Sequence, residues 1–67
     1  MKYDFGDSVQ LADTLEPCEI VGITVVDSVQ QAEALSVPLG SVLYTVEFAD
    51  GSDALVPEAA LVLFPPS

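Results

Sequence analysis

Positive charge is almost absent from this sequence. Lys2 is its single basic residue and there is no His, whereas eleven Asp and Glu residues set the net charge at -10. So few cations cannot neutralise a phosphate backbone or hold an anionic lipid surface, which excludes nucleic acids and membranes as partners. The absence of His also removes the commonest general base and metal ligand. The sequence therefore predicts no enzyme activity and no cofactor.

Cysteine and long apolar runs are scarce as well. Cys18 is the only cysteine, so neither a disulfide within the chain nor a zinc knuckle can form. It opens an apolar strand beside Glu19, which disfavours the thiolate, and we expect an inert core thiol. No segment has the length of a membrane span or the pattern of a signal peptide, and we expect a cytoplasmic protein.

Enough apolar residues remain to build a small core. Of the 67 residues, 51% are hydrophobic and the mean hydropathy is +0.52, which is far from the composition of disordered chains. A chain of this length supports one core, so we expect a single domain over residues 1–67. A core this small is marginally stable, and self-association would bury more of the apolar surface.

Alternation of polar and apolar residues predicts five short strands. Gly22 interrupts the alternation of the second strand and indicates a bulge or bend. Asp50-Gly51 predicts a hairpin between the third and fourth strands. Ser28, with Gln31 three residues later, predicts the cap of a short helix over residues 28–35. The predicted strands cover residues 7–12, 18–26, 41–49, 53–56 and 61–64, with one helical turn at 57–60.

The apolar face of each strand predicts the core. The third strand contributes most, because it places two aromatic side chains on the same face. The predicted core residues are Val9, Leu11, Ile20, Val25, Tyr44, Val46, Phe48, Val56 and Leu61. The fold class is all-β, and the order of elements resembles a five-stranded antiparallel SH3-like small barrel with one short helical insertion and a single helical turn before the last strand.

Four segments resemble the plasmid-borne type II dihydrofolate reductases, which are tetrameric SH3-like barrels carried on mobile cassettes. The segments are Phe5-Gly6-Asp7-Ser8-Val9, Ile20-Val21-Gly22-Ile23, Tyr44-Thr45-Val46 and Pro57-Glu58-Ala59-Ala60-Leu61. The resemblance implies the barrel and an oligomer, but not the activity. Where that family has Val-Gln-Ile-Tyr before the matching proline, this chain has Asp53-Ala54-Leu55-Val56. The family also attracts phosphate-bearing ligands with lysines, whereas this chain repels them.

The third strand is also similar to the central hairpin of Tudor-like modules, which hold methylated cationic side chains in aromatic cages. The similarity rests on Tyr44-Thr45-Val46-Glu47-Phe48 followed by Asp50-Gly51-Ser52. It implies a cage built from Tyr3, Phe5, Tyr44 and Phe48 with Asp50 or Asp53. The alternation of the strand favours Tyr44 and Phe48 as core residues instead. The acidic hairpin also lacks the ligand spacing of a calcium loop, so no metal site is predicted.

Three functions remain open from the sequence. The leading hypothesis is a non-enzymatic interaction module that associates with itself or with another protein through apolar surface residues. Its candidate binding surface consists of Val21, Leu43, Leu55, Asp50 and Asp53, together with Ile23. The first alternative is an acidic module that binds a cationic ligand or a basic protein, which clustering of the carboxylates on one face would favour. The second is a small oligomer-pore enzyme related to the type II dihydrofolate reductases.

Overall fold

Five strands, one helix and a 3-10 turn make up the fold in the computed structural model, which describes residues 2–64. All the predicted elements are present, and their ends differ from the predicted ends by at most one residue. In chain order they are β1 (Ser8–Leu11), β2 (Pro17–Val25), α1 (Val29–Leu35), β3 (Val42–Phe48), β4 (Asp53–Pro57), the 3-10 turn (Glu58–Ala60) and β5 (Leu61–Leu63).

The strands form one antiparallel sheet in the order β4-β3-β2-β1-β5. Strands that follow each other from β1 to β4 are neighbours, and β5 returns to pair with β1. β4 and β5 are the two edges, and within residues 2–64 no ladder joins them. The prediction of an antiparallel all-β fold is therefore confirmed, whereas closure into a barrel stays a prediction. Along the same residues, no helix is long and apolar enough to cross a membrane.

Gly22 marks a bulge in β2, as the interrupted alternation predicts. The register against β3 shifts between Ile20, which pairs with Val46, and Gly22, which pairs with Thr45. A Cβ atom on Gly22 would lie 3.2 Å from both Cβ and Oγ1 of Thr45, so any side chain there would force Thr45 to move. The extra residue lets both Ile20 and Ile23 face the core cluster, and β2 bends around it.

The core lies on one face of the sheet, where cross-strand partners such as Ile20 and Val46 meet. Eight of the nine predicted core residues belong to it, and Val25 does not. Its buried members are Tyr3, Val9, Cys18, Ile20, Tyr44, Val46 and Leu61, and Leu11, Ile23, Val42, Phe48, Ala54 and Val56 pack against them.

The prediction of Val25 as a core residue is wrong, because the next residue, Val26, is buried instead. Val25 is 49% exposed at the end of the sheet, whereas Val26 is fully buried. The Val26 amide donates to the carbonyl of Ser41 and its carbonyl accepts from the amide of Gly40, so the loop before β3 folds back over Val26. Leu43, which the alternation turns outward, is also buried, at 3% exposure.

Helix α1 is a short insertion at the same end of the sheet. The Ser28 Oγ accepts a hydrogen bond from the Gln31 amide at 3.1 Å, which confirms the predicted cap. Ser36 ends the helix in the left-handed region, with φ of 57°. None of the helical residues is buried. The helix therefore contributes little to the core.

Tyr3 joins the core although no sequence pattern predicts it. Its ring packs edge-on against Tyr44, with the centroids 5.5 Å apart. Its hydroxyl donates to the Leu61 carbonyl at 3.0 Å, and its amide donates to the Tyr44 hydroxyl at 3.2 Å. The Tyr44 hydroxyl in turn donates to Oε2 of Glu58 at 2.8 Å. These bonds fasten the segment around Tyr3 to β3, β5 and the 3-10 turn.

Candidate functional site

Three carboxylates lie directly opposite one another on adjacent strands. Glu19 on β2 pairs with Glu47 on β3, and Glu47 pairs with Asp53 on β4. Residues directly opposite in an antiparallel sheet share one face, and all three side chains are exposed. We call Glu19, Glu47 and Asp53 the acidic ladder.

The turn between β3 and β4 sets the register that places Glu47 opposite Asp53. The Gly51 amide donates to the Phe48 carbonyl at 3.0 Å, and the Phe48 amide donates to the Ser52 carbonyl at 2.8 Å. The loop therefore holds three residues, with Gly51 in the left-handed conformation at φ of 87°. A two-residue Asp-Gly turn would place Phe48 opposite Asp53. The longer loop places Glu47 there instead.

The acidic ladder has no neutralising charge on its own strands. β2, β3 and β4 contain no Lys or Arg. The only basic side chain of the sequence, Lys2, places its Nζ 5.7 Å from the centroid of the Tyr3 ring. Like charges directly opposite each other destabilise a sheet. The ladder is therefore an arrangement that costs stability in the isolated chain.

A groove of about 390 Å³ adjoins the acidic ladder. Glu19 and Glu47 belong to both features, and Phe48 and Phe64 also line the groove, Phe48 from the opposite face of β3 to Glu47. We call this the acidic groove; its lining residues are Ser8, Pro17, Cys18, Glu19, Glu47, Phe48, Ala49 and Phe64. Carboxylates and aromatic residues that line one groove suit an ammonium or guanidinium group and the methylene stem that carries it.

Cys18 is a poor candidate for a nucleophile at the groove. Cys18 borders the groove but is buried, and burial raises the pKa of its thiol, with a further contribution from the negative charge of Glu16. A thiol with a raised pKa is a poor nucleophile at neutral pH, which agrees with the predicted inert core role. Within residues 2–64, no group of side chains is arranged to hold a metal ion.

The structure places the residues of the predicted binding surface on β2, β3, β4 and the hairpin turn. Leu43 is buried, so it cannot form an exposed surface of the chain, and Val21 and Ile23 are half-buried. Leu55 is 46% exposed on β4. Of the two predicted carboxylates, only Asp53 belongs to the acidic ladder.

Asp50 has a local role in the hairpin turn. Its Oδ1 accepts hydrogen bonds from the Ser52 hydroxyl at 2.6 Å and from the Ser52 amide at 3.0 Å. These two bonds hold the pKa of Asp50 below its usual value. The carboxylate therefore supports the turn that aligns Glu47 with Asp53.

The aromatic cage implied by the Tudor-like similarity is not formed. Tyr3 and Tyr44 are buried and pack against each other, whereas Phe5 is 71% exposed. Phe48 is half-buried and packs against the core cluster. Tyr3 and Tyr44, two of the four aromatic residues proposed for the cage, therefore lie in the core. The alternation of β3 predicts this position for Tyr44.

Sequence reasoning missed Glu19 and Glu47 as site residues. Each stands in a strand where an exposed glutamate is typical of a solvated face. Their juxtaposition follows from the β2–β3 register, which the bulge at Gly22 shifts. Pairing β2 with β3 around a bulge at Gly22 would have predicted that Glu19 lies opposite Glu47. The absence of basic residues from these strands would then have marked the pair as unneutralised.

Comparison of the chain with protein-family models, with curated proteins and with solved structures gave no match.

Proposed function

We propose that this chain is a non-enzymatic interaction module, an SH3-like small barrel that binds a basic segment of a partner protein in the acidic groove. The observation that carries the proposal is the acidic ladder. Three like charges stand in a row without a cation on their strands, and two of them line a groove that also includes Phe48 and Phe64. A cationic partner would offset the repulsion among these three carboxylates, because each of them would attract its positive charges.

The fold side of the proposal is supported by the order of the elements. β5 returns to β1, β2 bends at Gly22, a tight turn joins β3 and β4, and a 3-10 turn precedes β5. These features support the SH3-like arrangement that the sequence resembles. In such a barrel the bend in β2 brings the two edges of the sheet toward each other.

The chemistry of the groove favours lysine or arginine side chains over a small inorganic cation. Phe48 and Phe64 offer apolar surface for a methylene stem, and Glu19 and Glu47 offer acceptors for its charged end. A small inorganic cation would make no use of the rings. A basic peptide in extended conformation would reach several ladder carboxylates at once.

A labelled octalysine peptide tests the proposal by fluorescence anisotropy. We expect binding that weakens as salt is added, because exposed charges are screened. The double variant Glu19→Gln, Glu47→Gln should bind about tenfold more weakly, equivalent to about 1.4 kcal/mol. The same variant should be more stable than the wild type, because it removes both like-charge pairs of the ladder.

The matched control is Asp13→Asn with Glu33→Gln, which removes the same net charge from the β1–β2 loop and from α1. We expect its peptide affinity to stay within about twofold of the wild type. Equal losses in the two double variants would show that only net charge attracts the peptide. That result, or the absence of binding at low salt, would overturn the proposed site.

A further inference from the structure

Strand β4 is an edge of the sheet, and half of its backbone groups face away from the sheet. The Phe48 amide donates across the hairpin to the carbonyl of the residue that precedes β4. Antiparallel pairs alternate between hydrogen-bonded and non-hydrogen-bonded, so this bond sets the phase of the whole ladder. Ala54 and Val56 therefore bond to β3. Asp53 and Leu55 point their amides and carbonyls outward.

These outward groups have no backbone partner in the part of the chain that the structure describes. No hydrogen bond joins Asp53 or Leu55 to the backbone of another loop or strand, and no residue of β4 is buried. The opposite edge, β5, is partly occupied. The Leu61 carbonyl accepts from the Tyr3 hydroxyl at 3.0 Å, and the Leu61 amide donates to the Glu58 carbonyl. β4 is therefore the more open of the two edges.

The open part of β4 coincides with its acidic end. Edge strands are protected from pairing by lysine, by proline or by bulges. Pro57, the last residue of β4, has no amide hydrogen and closes one end of the strand to pairing. The other end begins with Asp53, directly opposite Glu47 of the acidic ladder. Free backbone groups and unneutralised negative charge thus occur together.

We infer that an extended basic segment of a partner protein adds to β4 as a further antiparallel strand, with a lysine or arginine opposite Asp53. Main-chain hydrogen bonds to Asp53 and Leu55 hold the segment, and its side chains determine which segment is accepted. The basic residue lies on the same face as the acidic ladder and continues that row with the opposite charge. The next residue on this face covers Leu55, which is 46% exposed.

A second copy of this chain fits the edge less well. It carries a net charge of -10, and its own β4 contains no Lys or Arg that could face Asp53. The inference goes beyond the proposed function and does not rest on it. Of the residues that it uses, only Asp53 belongs to the acidic ladder, and none lines the acidic groove.

Two isomeric labelled peptides test the inference by fluorescence anisotropy. Both are eight-residue chains of alternating lysine and threonine with blocked ends, and either the lysine or the threonine amides are N-methylated. With a lysine opposite Asp53 in an antiparallel pair, the lysine amides face β4 and the threonine amides face away. We expect the threonine-methylated peptide to bind at least about tenfold more tightly, because it keeps the bonds to Asp53 and Leu55. Equal affinities, or the opposite order, would overturn the inference, since the two peptides have the same charge.

Leu55→Pro tests the same edge from the side of the protein. Leu55 forms a non-hydrogen-bonded pair with Thr45, so a proline removes an outward donor without breaking a bond to β3. We expect this variant to bind the two peptides within about twofold of each other, whereas the control Leu55→Thr keeps the wild-type preference. A preference that survives in a folded Leu55→Pro chain would overturn the inference.

The groove variant separates this inference from the proposed function. Glu19→Gln with Glu47→Gln should keep the preference for the threonine-methylated peptide, because it leaves Asp53 and the backbone of β4 unchanged. Leu55→Pro should keep its affinity for octalysine, because Leu55 does not line the groove. Loss of the peptide preference in the groove variant would overturn the inference, whereas loss of octalysine binding there supports the proposed function.

Discussion

At the scale of single residues, Glu58 and Tyr44 have the most consequence. Oε2 of Glu58 accepts from the Tyr44 hydroxyl at 2.8 Å and from the Lys2 amide at 3.1 Å. These bonds hold the pKa of Glu58 below its ordinary value, with the Tyr44 bond as the larger cause. Burial raises the pKa of Tyr44, and the Glu58 carboxylate adds to this effect. Both shifts favour a protonated Tyr44 beside an ionised Glu58 over the neutral range.

Because folding lowers the pKa of Glu58, the direction in which its contribution to stability changes with pH is known. The ionised form of Glu58 is favoured in the folded chain, so its contribution is complete above the ordinary value of 4.5 and is lost as pH falls through the folded pKa. We therefore expect the stability difference between the wild type and Glu58→Gln, followed by thermal melts, to shrink from neutral pH to pH 3. Tyr44→Phe is the control, because it removes the same bond from the other side. Parallel pH profiles in all three proteins would contradict this role for Glu58.

At the scale of elements, the bulge at Gly22 aligns β2 with β3. The extra residue in β2 lets both Ile20 and Ile23 contact the core while Glu19 remains opposite Glu47. Gly22→Ala should destabilise the fold by about 1–3 kcal/mol, because the new Cβ atom would lie 3.2 Å from Thr45 Cβ and Oγ1. Urea denaturation measures this loss.

The double variant Gly22→Ala, Thr45→Ala is the matched control for that prediction. It removes Oγ1, one of the two crowding atoms, and should be more stable than the sum of the two single losses predicts. Strict additivity would show that Thr45 does not limit the space at Gly22.

The elements themselves were predictable because their signals are local. Alternation, the cap at Ser28, the bulge at Gly22 and the Asp50-Gly51 turn each involve residues close in sequence, and all are present. Local patterns could not predict which residues lie opposite each other on neighbouring strands. The turn holds three residues rather than two, which moves Glu47 opposite Asp53. The loop that folds over Val26 likewise depends on hydrogen bonds across the end of the sheet.

At the scale of the whole molecule, the sequence predicted the acidity but not its arrangement. Glu19 and Glu47 are far apart along the chain and meet only through the shifted β2–β3 register. The predicted surface of Val21, Leu43 and Leu55 did not anticipate the burial of Leu43. Composition sets how many charges the surface must hold, whereas strand pairing sets which charges are neighbours.

The net charge of -10 predicts that salt stabilises the molecule. Repulsion among carboxylates is stronger in the compact chain than in the expanded one, so screening it favours the folded state. At about 1 M salt the Debye length is about 3 Å, and the melting temperature at pH 7 should be several degrees higher than at about 0.01 M. The measurement should be made at low protein concentration, so that association does not add to the shift.

The acidic ladder should account for a disproportionate share of this salt effect. Its charges are held opposite one another, whereas Asp13 and Glu33 lie in a loop and on α1. Glu19→Gln with Glu47→Gln should therefore reduce the rise in melting temperature more than Asp13→Asn with Glu33→Gln, although both variants lose two charges. If the two variants respond alike, repulsion is spread over the whole surface, and the ladder is no more strained than the other carboxylates.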